Sequence, residues 1–149
     1  MFDNRGNMSN QINSFKNRSK ARELALEYLY QWFLLEQNSC QSVEDFFLEK
    51  EIDKSVRDYA RVLVEGVIAD KEKIDEIISS VAQNWSIDRM IIIDRVILSI
   101  STYEIIHLED IPNRVSINEA IELAKKYSTV KSFAFVNGLL DQISKKFNN

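Results

Sequence analysis

One proline, Pro112, and three widely spaced glycines, Gly6, Gly66 and Gly138, are all this chain of 149 residues offers of the two strongest turn formers. Tight hairpins need residues that accept φ > 0, glycine above all, or a proline to preset the first turn dihedral. A chain so poor in both cannot make the many reversals of a sandwich or barrel. Its glycines are also too far apart to build a Gly-rich phosphate loop. An all-helical fold follows. A chain of this length makes one domain with its own core, burying roughly 70% of the surface its unfolded form exposes. No strictly apolar run exceeds four residues, far short of a membrane span. The opening MFDNRGNMSNQINSFKNRSK has no apolar signal core, so a soluble cytoplasmic protein is expected.

Apolar spacing divides the chain into six to seven helices joined by short loops. Residues 1–17, rich in Asn and Ser, read as a flexible arm ahead of a single domain, 18–149. Ser19 is the expected cap of SKARELALEYLYQWFLLEQ, with Ala21, Ala25, Tyr28, Trp32 and Leu35 as its core stripe. Ser42 caps a short helix and Asp53 opens the next, to residue 69. Asp70 starts another with Ile74, Ile77, Ile78 and Val81 inward. A long apolar helix spans 87–107, started by Ser86 or Asp88. Its β-branched centre leaves a strand over 90–98 open, but length and the lack of alternation favour a buried helix. Pro112 marks a loop at 109–114. Ser116 and Glu119 have the spacing of a capping box, and Ser132 is the expected cap of a last helix over 133–147.

Catalytic chemistry finds little support. The only histidine, His107, lies on the broad apolar helix, where a structural role is expected, and Cys40 stands in a polar connector. One histidine and one cysteine argue against a zinc site. The acidic residues are spread as on solvated helix faces, with pairs such as Glu122–Lys126. The sequence therefore predicts neither an enzyme nor a cofactor. Charge is more telling. Residues 1–22 carry Arg5, Lys16, Arg18, Lys20 and Arg22 against Asp3, a balance of +4, while the remainder stands at −8. A basic arm on an acidic body suits an anionic partner at one end and a basic partner elsewhere. A solvated tail would show the same charge.

FAFVNGLLDQI (133–143) contains Asn-Gly, the strongest hairpin dipeptide. Helical spacing nevertheless continues through Val136, Leu139, Leu140, Ile143 and Phe147, which excludes the turn. A glycine inside a helix costs about 1 kcal/mol relative to alanine. Gly138 is therefore expected to let another helix approach closely, with Asn137 satisfying a neighbouring helix end.

VSINEAIELAKKYSTVKSFAFVNGLLDQI (115–143) resembles the C-terminal signature of the NusB family of bacterial transcription antitermination factors. KARELALEYLYQW (20–32) is similar to the family's opening helix, and NWSIDRMIIIDRVILSISTYEI (84–105) to its central helix. The three blocks stand in family order and the resemblance covers 18–147. It implies a compact bundle of about seven helices in two packed helical subdomains, without catalytic activity. It also implies binding of a boxA element in ribosomal RNA leader transcripts together with the small-subunit ribosomal protein NusE. RNA polymerase and other Nus factors join that complex, and premature termination is suppressed. Some relatives form homodimers.

On this resemblance Arg18, Lys20 and Arg22 are candidate phosphate contacts, and Tyr30 and Phe135 candidate RNA-facing aromatics. Phe135 could equally pack in the core; for Trp32, Trp85 and Tyr103 packing is the expected role. Lys131 and Asn137 complete the RNA set, and Asp94 is the candidate contact for the protein partner. Two positions depart from the family pattern: Ala134 stands where a basic residue is common, and Ser99 where arginine is. Lys125, Lys126 and Lys131 are the cations available to compensate. About four phosphate contacts would give log K a slope near −3 against log salt. A helical protein–protein adaptor that has lost RNA affinity is the alternative, and it would lack that salt dependence.

Overall fold

The computed structural model describes residues 4–35, 40–83 and 86–147, with side chains from Ser14 onward. The expected packing of Trp85 and the side chain of Arg5 lie outside the described residues. Among the described residues seven α-helices follow in order: α1 (Asn4–Leu34), α2 (Val43–Leu48), α3 (Lys54–Ala69), α4 (Lys71–Val81), α5 (Ile92–His107), α6 (Asn113–Tyr127) and α7 (Val130–Lys146). There is no strand among the described residues. No helix there is long and apolar enough to cross a membrane.

α5 is the axis of the molecule, in contact with α1, α3, α4, α6 and α7. Val96, Ile97, Leu98, Ile100 and Ile105 are all buried, so apolar side chains surround most of its circumference. Burial on every side overrides the strand propensity of its β-branched centre. Around it α1 packs on α3, and α6 packs on α7. Ala21 and Ala25 are fully buried on α1.

Ser42 caps α2 as expected, accepting the Asp45 amide at 3.1 Å. Four other helix starts differ from the sequence reading. α1 does not begin at Ser19 but runs through it from Asn4, and the Ser19 hydroxyl donates to Glu119 at 2.6 Å. The helix expected from residue 87 is broken. Ser86 caps a 3₁₀ turn over Ile87–Arg89, and α5 starts at Ile92. The Ser116–Glu119 capping box does not form. Pro112 occupies the N-cap of α6, which begins at Asn113 and leaves Ser116 buried inside the helix; proline's fixed φ suits it to a helix entrance. At α7 the cap is Thr129, accepting the Ser132 amide at 3.3 Å. Thr129→Ala should therefore cost about 1 kcal/mol in a urea melt, the usual value of a lost N-cap.

Asp70 joins α3 to α4, but its side chain does not cap α4. It lies 2.6 Å from His107 Nε2, which ties the end of α5 to the α3–α4 corner. The close approach expected at Gly138 is absent, since a Cβ there would meet nothing within 4 Å. It occurs instead at Gly66 of α3, where a Cβ would stand 2.1 Å from the Tyr103 ring.

Candidate nucleic-acid interface

The basic residues that open the resemblance all sit on α1, but the helix turns them into different surroundings. Lys20 is exposed. It lines two hollows, one of about 580 Å³ between α1 and α6 and one of about 530 Å³ farther along α1. It makes no ion pair among the described residues. Arg18 is half-buried, donates to Asp110 at 3.3 Å and lies 5.4 Å from the centre of the Tyr59 ring.

Arg22 is a correction. Only 2% of it is exposed, and its guanidinium faces the core. Nε donates to both carboxylate oxygens of Glu104, at 3.1 and 2.9 Å. Nη2 and Nη1 make ion-pair contacts rather than aligned hydrogen bonds, at 2.8 Å from Glu104 and 3.4 Å from Glu119. The Tyr59 hydroxyl donates to the same Glu104 carboxylate. Burial works against the guanidinium charge, but Glu104, Tyr59 and Glu119 together leave its pKa above the ordinary value. Burial, and then Glu104, pushes the Tyr59 hydroxyl up as well. A side chain so enclosed cannot reach a phosphate. Its charge binds α1 to α3, α5 and α6.

Tyr30, 39% exposed, lines the second hollow together with Ile93 and Tyr127. A third hollow, about 350 Å³, lies between the start of α5 and the start of α7. Arg89, Met90, Ile91, Lys131 and Phe135 line it. Phe135 is half-buried there; it packs against the core while bordering the hollow. Lys131 is exposed. Asn137 is exposed too but borders none of the three hollows.

Asp94 is the second correction. It is buried in the first turn of α5, where it accepts from Ser128 at 2.7 Å and Ser132 at 2.8 Å. The Ser132 proton is thereby committed to Asp94. Thr129, 3.0 Å from Ser132 Oγ, is left as the donor of that contact. Asp94 fastens the α6–α7 connector onto α5 and offers no exposed carboxylate to a partner. Ser99 is also buried and donates to the Arg95 carbonyl at 2.7 Å. An arginine missing at that position therefore removes no exposed cation from this surface. Ala134, exposed on α7, is the departure that does.

The model of the NusB family matches residues 19–145. The chain belongs to the NusB family. Its members are transcription antitermination factors, not enzymes. The transcription antitermination protein NusB of Thermodesulfovibrio yellowstonii is 44% identical over 140 residues, 87% of this chain and 92% of that protein. Among solved structures, T. maritima NusB aligns with a TM-score of 0.78 at 35% identity, covering 87% of this chain and 91% of that one. A structure described as antitermination factors NusB and NusE in complex with dsRNA aligns at 0.77 and 30% identity, over 88% and 98% of the two chains. The family match begins at Ser19, so the first four turns of α1 lie outside the NusB pattern.

Three residues that sequence reasoning did not bring together meet where the first two hollows join. Glu23 lines both hollows, and its carboxylate accepts from Lys126 and from the Tyr127 hydroxyl at 2.8 Å. Burial alone would raise the Glu23 pKa, but these two donors hold it below the usual carboxylate range. The Lys125-Lys126-Tyr127 triplet at the end of α6 was the available signal: two cations beside an exposed aromatic.

Proposed function

We propose that this protein binds boxA-type RNA of ribosomal RNA leader transcripts together with a NusE-type small-subunit ribosomal protein. In that complex it suppresses premature termination, with RNA polymerase and other Nus factors engaged through it in the cytoplasm. The observation that carries this reading is the surface along α1, where exposed Lys20 and the exposed ring of Tyr30 line adjoining hollows. Cations of this kind bind phosphates, and aromatic faces stack on unpaired bases. The NusB–NusE–dsRNA structure, similar over most of both chains, supports the pairing of RNA with that protein partner. The acidic body, at −8 beyond residue 22, suits a basic partner.

With Arg22 enclosed, Arg18, Lys20 and Lys131 remain as phosphate contacts. Three contacts to single-stranded RNA correspond to a slope of log K on log salt of about −2. The test is binding of a fluorescent boxA-type RNA at several salt concentrations, with and without the NusE-type protein. Salt-sensitive binding that the partner strengthens supports the reading. Binding of the partner without any RNA affinity, alone or in the complex, would leave a helical adaptor instead. Lys20→Ala with Lys131→Ala should flatten the slope to about −0.7. An unchanged slope would remove both lysines from the interface.

A further inference from the structure

The geometry points to Glu23 as an internal substitute for an RNA phosphate, which holds Lys126 and Tyr127 across the junction of the two α1 hollows until RNA displaces it. This inference rests on the RNA-binding reading above. Glu23 and Lys20 are the two residues that line both hollows, so the carboxylate stands on the line a bound strand would follow. One oxygen, Oε1, accepts from both the Lys126 ammonium and the Tyr127 hydroxyl. The ammonium also lies 5.4 Å from the centre of the Tyr127 ring. A cation and a hydroxyl donor thus converge on a single anionic oxygen, with the aromatic face of Tyr127 beside the cation. A phosphodiester presents the same kind of acceptor with the same single charge. The Tyr127 ring, 46% exposed, is then available to stack on the attached base.

A largely solvent-screened ion pair between α1 and α6 adds little to stability, so a phosphate can displace it. The carboxylate also places a negative charge on the path of the RNA backbone. A strand that offers phosphates alone must overcome it, whereas one that also stacks a base on Tyr127 gains a compensating contact. Glu23 thus acts on selectivity as well as affinity.

The test compares the natural protein, Glu23→Gln and Glu23→Gln with Lys126→Ala. Each is titrated with fluorescent boxA-type RNA and with a scrambled RNA of equal length, over a series of salt concentrations. Glutamine keeps the size and hydrogen-bonding capacity of the side chain but removes its charge, and thermal melts verify that all three proteins fold. Glu23→Gln should bind boxA-type RNA roughly two- to fivefold more tightly at low salt and scrambled RNA by a larger factor. Its salt slope should steepen by about 0.7, the contribution of one more phosphate contact. Adding Lys126→Ala should reverse both changes. Binding by Glu23→Gln where the natural protein shows none would support the inference equally. Unchanged or weaker binding by Glu23→Gln would overturn it and leave the RNA reading intact; Glu23 would then be a tether between α1 and α6. Absence of binding by both proteins, with and without the NusE-type partner, would overturn the inference and the RNA reading together.

Discussion

Arg22→Ala is expected to destabilise the fold by about 3–5 kcal/mol, the usual cost of removing one partner of a buried ion pair. The large value comes from what is left behind. Glu104 is fully buried, and without Arg22 its carboxylate would keep only the Tyr59 hydroxyl among the contacts described here. Glu119 would lose its ion pair to Arg22 and retain the Ser19 hydroxyl. For a chain of this size the loss corresponds to a fall in melting temperature on the order of 10 °C. The companion variant locates the cause. Combining Arg22→Met with Glu104→Gln removes the orphaned charge and should recover a large part of the stability. Equal losses in the single and double variants would show that packing, rather than an unpaired carboxylate, sets the cost. The variant also separates two roles that the sequence had merged. Lys20→Ala should leave melting unchanged and weaken RNA binding, whereas any effect of Arg22→Ala on RNA should follow the loss of fold.

The second large effect is expected at Gly66. A Cβ added there would lie 2.1, 2.4 and 2.5 Å from Cζ, Cε2 and Oη of Tyr103, distances that force the ring to move. Tyr103 packs against the core, with its ring centre 5.0 Å from that of His107. Gly66→Ala should therefore cost about 1–3 kcal/mol through overpacking. The roughly 1 kcal/mol that alanine gains over glycine inside a helix offsets only part of this. Gly138→Ala, with open space around the new methyl, should instead stabilise by up to about 1 kcal/mol. Denaturant melts of the two variants should shift in opposite directions. A stable Gly66→Ala protein would mean that Tyr103 swings aside freely. RNA binding by Gly138→Ala is informative as well. A fall in affinity in the more stable protein would mean that a bound partner, rather than the fold, needs the bare backbone at this position.

These two glycines show where reading the sequence stops. Both lie inside helices whose apolar spacing continues past them. Only the packing of α3 against α5 puts a tyrosine ring over one of them and nothing over the other. Arg22 and Lys20 differ in the same way. They are two residues apart on one helix, about 200° of rotation, so one faces the core and the other the solvent. Charge counting treats them alike. The resemblance makes Asp94 a candidate for the partner surface, yet it is buried. The serines that enclose it, Ser128 and Ser132, lie 34 and 38 residues away, beyond the reach of any local rule. Helix starts fail for a related reason. Ser19, Ser116 and Glu119 have the residue types of caps, but Ser19 and Glu119 bond to each other across 100 residues and Ser116 is buried within α6.

What the sequence determined by itself was local or repeated many times along the chain. The scarcity of glycine and proline and the 3.6-residue apolar spacing were enough for an all-helical fold, because these signals add over whole helices. The three ordered blocks were enough for the family. Lys20 and Tyr30 came as candidates from that resemblance, and their exposure is a finding of the structure. The tertiary structure alone decided which charges face inward, which glycine another helix presses against, and which acid holds Lys126 and Tyr127. Each of those depends on groups brought together from distant parts of the chain, and their desolvation or clash exists only once the helices have packed.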